Sequence, residues 1–189
     1  ESTPGQLIKQ PFVIPIQLGL LSASGEALGD AQLLVLHEAQ QTLVFENMAE
    51  APVPSLLRGF SAPVHLSYDY SDAELLTMLA HDTDAFNRWE AAQRLSLKAA
   101  MAALNSPTVH DQPLPLDLVE GLRHVLRHPD LDAAFKELVL TLPSESYIAE
   151  QCAHVDPQKV HAVREAMRLQ LAMALQQDWV WAFQHHAPK

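Results

Sequence analysis

The spacing of apolar residues changes near Tyr70. Before it, short apolar runs are separated by turn residues; after it, apolar positions recur every three or four residues. In the first part, "PFVIPIQLGLL" (11–21) predicts a strand with Pro15 at an edge or bulge, since proline cannot donate to a ladder. "SASGEALGD" (22–30) is a polar connection in which Gly25 and Gly29 supply turn geometry. "QLLVLHE" and "QQTLVFEN" predict two strands joined around Ala39–Gln40, and "SLLRGF" and "PVHLSYDY" continue the series. Five or six short strands of this kind indicate part of an Ig-like β-sandwich.

From Ser71 the pattern is helical. "SDAE" (71–74) has the form of a capping box, with Ser71 as N-cap and Glu74 at the third helical position. The next helix carries Ala85, Trp89, Ala92, Leu95, Ala99 and Ala102 along one predicted face. "SPTVHDQPLP" (106–115) is a loop, and a third helix covers 116–128. Asp130 and Ser144 are candidate caps for the two helices that follow. Asp156–Pro157 opens a long helix over about 157–185, with Val160, Val163, Met167, Leu171, Ala174 and Trp179 on one side. The expected fold is therefore segregated β then α. A partial Ig-like β-sandwich (1–70) precedes an antiparallel, α-solenoid-like array of six helices (71–189), without a fixed-period repeat.

The formal charge of −11 is divided almost evenly, −5 before residue 71 and −6 after it. No basic stripe exists for a phosphate backbone, so nucleic acid is not an expected partner. No apolar run approaches the roughly 20 residues that span a bilayer, and no signal peptide is visible. The opening "ESTPGQLIKQP" lacks an initiating Met and reads as the interior of a longer polypeptide. The single cysteine, Cys152, fits a reducing compartment, and a cytoplasmic location is expected.

Candidate chemistry is sparse. His37–Glu38 begins an H-E-x-x-H zinc motif, but the fifth position is Gln41, a poor ligand. The β-pattern would also keep residues 37 and 41 from meeting as helix neighbours. His124 and His128 are better spaced, at i and i+4, yet no third ligand is evident and Pro129 ends the helix there. They read as a solvated helix end, and His185–His186 as a mobile tail. Cys152 and His154 fall on different helix faces, so they make no nucleophile–base pair. Asp82, Asp84 and Glu90 read as ordinary helix-start acids, and Trp179 and Trp181 as packing aromatics. Arg88 is placed to reach Asp84 at i−4, while Phe86 and Trp89 are expected to anchor their helix against the sandwich. No catalytic, metal-binding or substrate-binding residue is assigned.

Residues 41–95 resemble bacterial aminopeptidase N, most specifically in "PVPSLLRGFSAPV" (52–64) and "HDTDAFNRWEAAQ" (81–93). "KQPFVIPIQLGLL" (9–21), "LTLPSESYIAE" (140–150) and "DPQKVHAVREAM" (156–167) extend the likeness over much of the chain. The resemblance implies a zinc metallopeptidase that removes single residues from peptide N-termini. It also implies that this section joins a small β-sandwich to a C-terminal helical domain, spacing the active site and closing over it. The family's H-E-x-x-H and G-x-M-E-N motifs belong to an earlier catalytic domain and are not in this chain. "FENMAE" (45–50) has the letters of the second in the wrong order. Zinc is thus expected in the parent and not in this section, whose partners would be the rest of the same polypeptide, above all its catalytic domain. Peptides would be partners of the parent, and the section itself is expected to self-associate through exposed apolar surface. The competing expectations are an independent helical interaction module and, with least support, a stand-alone enzyme.

Overall fold

The computed structural model describes residues 4–5, 8, 10, 12–107 and 112–186. The first residue of the expected opening strand, Pro11, and residues 108–111 of the expected 106–115 loop lie outside the described residues. The chain divides into two compact units, Glu1–Asp69 and Tyr70–Lys189.

In the first unit, β1 (Ile14–Leu21) lies between β2 (Gln32–Leu36) and β3 (Val53–Ser55) in an antiparallel sheet of order β2-β1-β3. Pro15 pairs with Val35 of β2, while β3 pairs only with Gly19–Leu21. The missing donor of Pro15 therefore falls on the half of β1 that has one neighbour, as an edge proline requires. Leu18, Leu20, Leu21, Val53, Leu57 and Ala62 form the core of this unit. The Ser22–Gly25 turn is closed by hydrogen bonds from Ser22 N to the Glu26 carbonyl (2.8 Å) and from Glu26 N to Ser22 Oγ (3.0 Å). Gly25 takes φ 87° there.

Three strands form among the described residues where five or six were expected. "SLLRGF" turns into a short 3-10 segment, Arg58–Phe60, because Leu57, Gly59 and Phe60 adopt φ of 54°, 61° and 52°. A run of positive φ cannot continue an extended strand. The segments over 41–46 and 64–70 have no ladder. Leu43 and Val44 are both exposed, so their apolar run covers no core.

The second unit contains seven helices among the described residues: α1 (Asp72–His81), α2 (Ala85–Leu104), α3 (Leu116–Arg127), α4 (Ala133–Leu140), α5 (Glu145–Glu150), α6 (Pro157–Ala174) and α7 (Gln176–His186). Their starts follow local chemistry. Ser71 and Glu74 complete the capping box. Asp84, Asp132, Ser144 and Asp156 each accept a backbone N–H at 2.9–3.1 Å. Such caps contribute about 1 kcal/mol each. The cap of α4 is Asp132, not Asp130; Asp130 N donates to His128 Nδ1 in the turn before it.

Helix α2 packs against α1, α3, α4, α5 and α6. Its buried residues are Asn87, Arg88, Ala91, Ala92, Leu95, Ser96, Ala100 and Ala103. The expected face is thus rotated, with Ala85 and Ala102 exposed. Around this small-residue post, Leu79, Leu118, Leu122, Ile148 and Val163 are fully enclosed. Helices α1 and α3 meet at Gly121, where an added Cβ would stand 2.8 Å from Leu79 Cδ2.

The expected single helix over 157–185 is two. Leu175 departs from helical geometry (φ −105°, ψ 17°), separating α6 from α7. Arg123 Nη2 donates to the Ala174 carbonyl at 3.2 Å, drawing on an acceptor that an unbroken helix would give to residue 178. Asp178, 4% exposed, accepts from Arg123 Nη1 and from Arg127 Nε at 2.7 Å. Leu175 and Asp178 are consequently the buried residues at this end, while Ala174 and Trp179 are exposed.

Two substitutions test this packing. Gly121→Val should lower the unfolding free energy by about 2 kcal/mol, because overpacking outweighs the gain of roughly 0.4 kcal/mol in helix propensity. A stability equal to or above the parent in urea titration would contradict the close approach. Asp178→Ala should cost about 2 kcal/mol, less than the loss typical of a fully buried pair, because Arg123 and Arg127 keep 34% and 39% of their side-chain surface in water. It should also loosen α7 and red-shift tryptophan emission, since Arg127 lies 4.5 Å from the Trp181 ring. Unchanged emission and unchanged stability would show that Asp178 is not the pin of α7.

Candidate functional site

His37 follows β2 directly, exposed, with Nδ1 donating to the Val35 carbonyl at 3.1 Å. Glu38 lies 3.7 Å from its Nε2, and Gln41 is exposed in an irregular segment. Residues 37–41 are irregular rather than helical, so the geometry on which H-E-x-x-H depends is not formed. Cys152 is half-buried with its thiol 3.5 Å from the Ile148 carbonyl, and His154 is exposed. His185 and His186 belong to α7 rather than to a tail, and the His185 ring stacks on Trp181 at 4.8 Å. Trp181 also faces Arg127 and Lys136, whereas Trp179 is 37% exposed. The two tryptophans do not form a cage.

The three acids separate by role. Asp82 is the buried C-cap residue of α1, and its Oδ1 accepts from Asp84 N at 2.8 Å. Asp84 caps α2 through Asn87 N. Glu90 lines a recess of about 450 Å³ with Trp89, Gln93, Leu138, Tyr147 and Arg164. Burial pushes its carboxyl up, against the opposing pull of Arg94. The Trp89 and Phe86 rings lie 5.7 Å apart, with Phe86 38% exposed.

Arg88 does more than the i−4 pairing predicts. It is 5% exposed, and Nη2 donates to the Ala80 carbonyl at 3.3 Å, eight residues back on α1. Its Nε is buried without a hydrogen-bond partner. Burial lowers its pKa, while the nearby Asp82 carboxylate acts in the opposite sense. Arg88 lines a second recess, of about 300 Å³, with His81, Asp82, His124, His128 and Phe135.

His81 is the member of this group that sequence spacing missed. It ends α1, and the packing of α1 on α3 brings its ring to 5.5 Å from that of His124, which is 5.9 Å from His128. Partial burial, then His81, His128 and Arg88, pushes the His124 pKa down; a hydrogen bond with the Ala80 backbone opposes this. Burial and Arg88 lower that of His128, with Asp130 opposing and Lys136 assisting. The only sequence signal for the trio was the i, i+4 spacing of His124 and His128, the latter being the C-cap residue of α3. Among the described residues, no group of three or more His, Cys, Asp or Glu side chains is arranged to hold a metal ion. These residues therefore do not fit the zinc that the resemblance implies for the parent. No described helix is long and apolar enough to cross a membrane.

Comparison with known proteins agrees with this two-part build. Residues 1–69 match a domain of unknown function with an Ig-like fold (DUF3458), and residues 72–189 match its partner of ARM repeats (DUF3458_C). Aminopeptidase N of Caulobacter vibrioides is 40% identical over 159 residues, covering 84% of this chain and 18% of the relative. Aminopeptidase N of Escherichia coli K12 is 39% identical over 185 residues, covering 92% and 21%. A crystal structure of Legionella pneumophila aminopeptidase A in complex with aspartic acid matches with TM-score 0.78 and 30% identity, over 93% of this chain and 21% of that one. The chain spans about a fifth of the length of the relatives it matches. It belongs to the aminopeptidase N family, in which it is the section formed by the Ig-like and ARM-repeat domains.

Proposed function

We propose that this chain is a non-catalytic section of a zinc-dependent aminopeptidase N, spacing the catalytic domain from the helical domain and enclosing the active site. The observation that carries the reading is the match through both of its domains to aminopeptidase N, at 39–40% identity over 84–92% of the chain. The parent would remove N-terminal residues from peptides, with zinc polarising the scissile carbonyl and activating water. No step of that chemistry is assigned to a side chain here, because the described residues offer no arrangement that could hold the metal.

The contribution of this chain is mechanical. Helix α2 holds five other helices in register, and the Asp178 clamp fixes α7 against α3. A wall that encloses a reaction must keep its shape, and buried, capped helices supply that rigidity. The cytoplasm is the proposed compartment, which the single cysteine suits. An independent interaction module is the second reading, favoured by the exposed Leu169, Met173, Val180 and Phe183 of α6 and α7.

Two measurements separate these readings. The isolated chain, supplied with zinc, should release no chromophore from an alanine anilide above a mock-purified control. Turnover that disappears on His37→Ala would overturn the non-catalytic assignment. Titrated against a parent polypeptide lacking this section, the chain should bind one to one and raise anilide hydrolysis. Absence of binding at saturating concentration would remove the architectural role and leave the interaction module.

A further inference from the structure

We infer that the recess between α2, α4, α5 and α6 binds an organic ammonium ion on an apolar body, with the Glu90 carboxylate as counter-charge and the Trp89 and Tyr147 rings as walls. The inference rests on the recess alone and not on the enclosing role. Its first ground is an unmatched acid. Glu90 is half-buried and lines the recess, yet among the described residues its carboxylate has neither a hydrogen bond nor an ion pair. The fully buried side-chain atoms without partners, among those residues, are Asp82 Oδ2 and Arg88 Nε, so both Glu90 oxygens keep accessible surface. A partly desolvated carboxylate is relieved by a positive charge, and charge-assisted hydrogen bonds are about twice as strong as neutral ones.

The second ground is what surrounds that acid. Trp89, Leu138 and Tyr147 line the same recess, and Phe86 braces the Trp89 ring from 5.7 Å. Tryptophan is the best side-chain partner for a cation over a ring face, and tyrosine is also effective. The recess is preformed. Gln93 Nε2 donates to the Thr141 carbonyl and Arg164 Nε to the Pro143 carbonyl, both at 2.8 Å, so α2 and α6 are tied to the segment between α4 and α5. A preorganised site loses less freedom on binding. Its volume of about 450 Å³ falls within the roughly 300–1,000 Å³ of small-molecule sites.

Arg164 also lines the recess, but its charge is answered elsewhere. Beyond the Pro143 carbonyl it has Glu165 Oε1 at 3.9 Å from Nη1, and the cation that acts on Glu90 is Arg94 of its own helix. To the lining, α4 brings no ionisable side chain, α5 brings Tyr147 and α6 brings Arg164. Burial raises the Glu90 pKa, with Arg94 opposing. The fold is therefore favoured below the ordinary carboxyl pKa and loses that advantage as pH rises through the raised value. A bound ammonium reverses the balance by favouring the carboxylate. Binding should release protons and weaken as the pH falls from 7.0 to 5.0.

The test is an NMR titration of the indole N–H signals of the whole chain, which has three tryptophans. Phenethylamine and phenylalanine amide are added in separate series at constant ionic strength. The controls are 2-phenylethanol, the neutral counterpart, and 3-phenylpropionate, the anionic one. Saturable shifts of Trp89 that spare Trp179 and Trp181 are expected with the amines. Tighter binding of phenethylamine assigns the site to free amines, tighter binding of the amide to peptide N-termini, and equal affinity shows that ammonium and ring suffice. The alcohol and the acid should bind about tenfold more weakly or worse. The pH dependence is read with phenethylamine, because an alkylammonium stays charged across this range. Glu90→Gln should weaken amine binding about tenfold and remove its pH dependence. That variant should fold at least as well as the parent, since it removes a half-buried charge. Trp89→Leu should weaken binding severalfold. Linear shifts with both amines, equal shifts at all three indoles, an alcohol or acid that binds as tightly as the amines, or amine binding untouched by Glu90→Gln would overturn the site.

Discussion

The helical domain depends on how little side chain α2 puts between itself and its neighbours. Ala91, Ala92 and Ala100 are fully enclosed, and Ala103 nearly so. Small residues let helix axes approach at the short end of the usual 8–10 Å range, so one helix can be shared by five others. Alanine methyls contribute little transfer free energy themselves. The larger apolar burial comes from Leu79, Leu118, Leu122, Ile148 and Val163 on the surrounding helices, at about 25 cal/mol per Å². The same economy recurs at Gly121, where the absence of a Cβ admits Leu79. A shared post of this kind ties the positions of α1, α3, α4, α5 and α6 together.

That arrangement explains which parts of the structure were legible in the sequence. Helix starts were, because a cap involves a side chain and a backbone N–H three residues apart: Ser71, Ser144 and Asp156 all act locally, and Asp84, read only as a helix-start acid, caps α2 in the same way. Asp132 was missed because Asp130, two residues earlier, offers the same chemistry, and the turn made with His128 decided between them. The face of α2 was misjudged for a different reason. A helix surrounded by five others has no single apolar stripe, and periodicity assumes one. The break at Leu175 depends on Arg123, 51 residues before the Ala174 carbonyl it contacts, so no local pattern could announce it.

The β-unit was less legible because a strand is stabilised by partners rather than by its own residues. "QQTLVFEN" and "PVHLSYDY" carry strand-like composition, yet β propensity reflects packing on a pleated neighbour. Among the described residues, those segments have no ladder to join. The zinc question shows the reverse case. Setting His37–Glu38 aside draws only on the motif's own spacing, since Gln41 stands at its fifth position. Finding His81 beside His124 required the α1–α3 contact, which lies in the tertiary structure alone.

Two arginine arrangements in this domain show how completion can be told from spare capacity. Around Asp178, two guanidiniums converge on one buried carboxylate, and Arg123 has further acceptors in Ala174 and Glu120. Charge and donors are matched there, and the consequence is structural: α7 is held in place. At Arg88, burial is deeper, the backbone acceptor is longer at 3.3 Å, and one buried N–H has no acceptor. Asp82 balances the charge without meeting that donor. A fold that already supplies an efficient clamp for Arg123 and Arg127 has no need of an imperfect one for stability. Departures from local rules without compensation tend to fall at functional positions. Arg88 is a departure of that kind, a guanidinium buried next to α1 whose Nε lacks an acceptor.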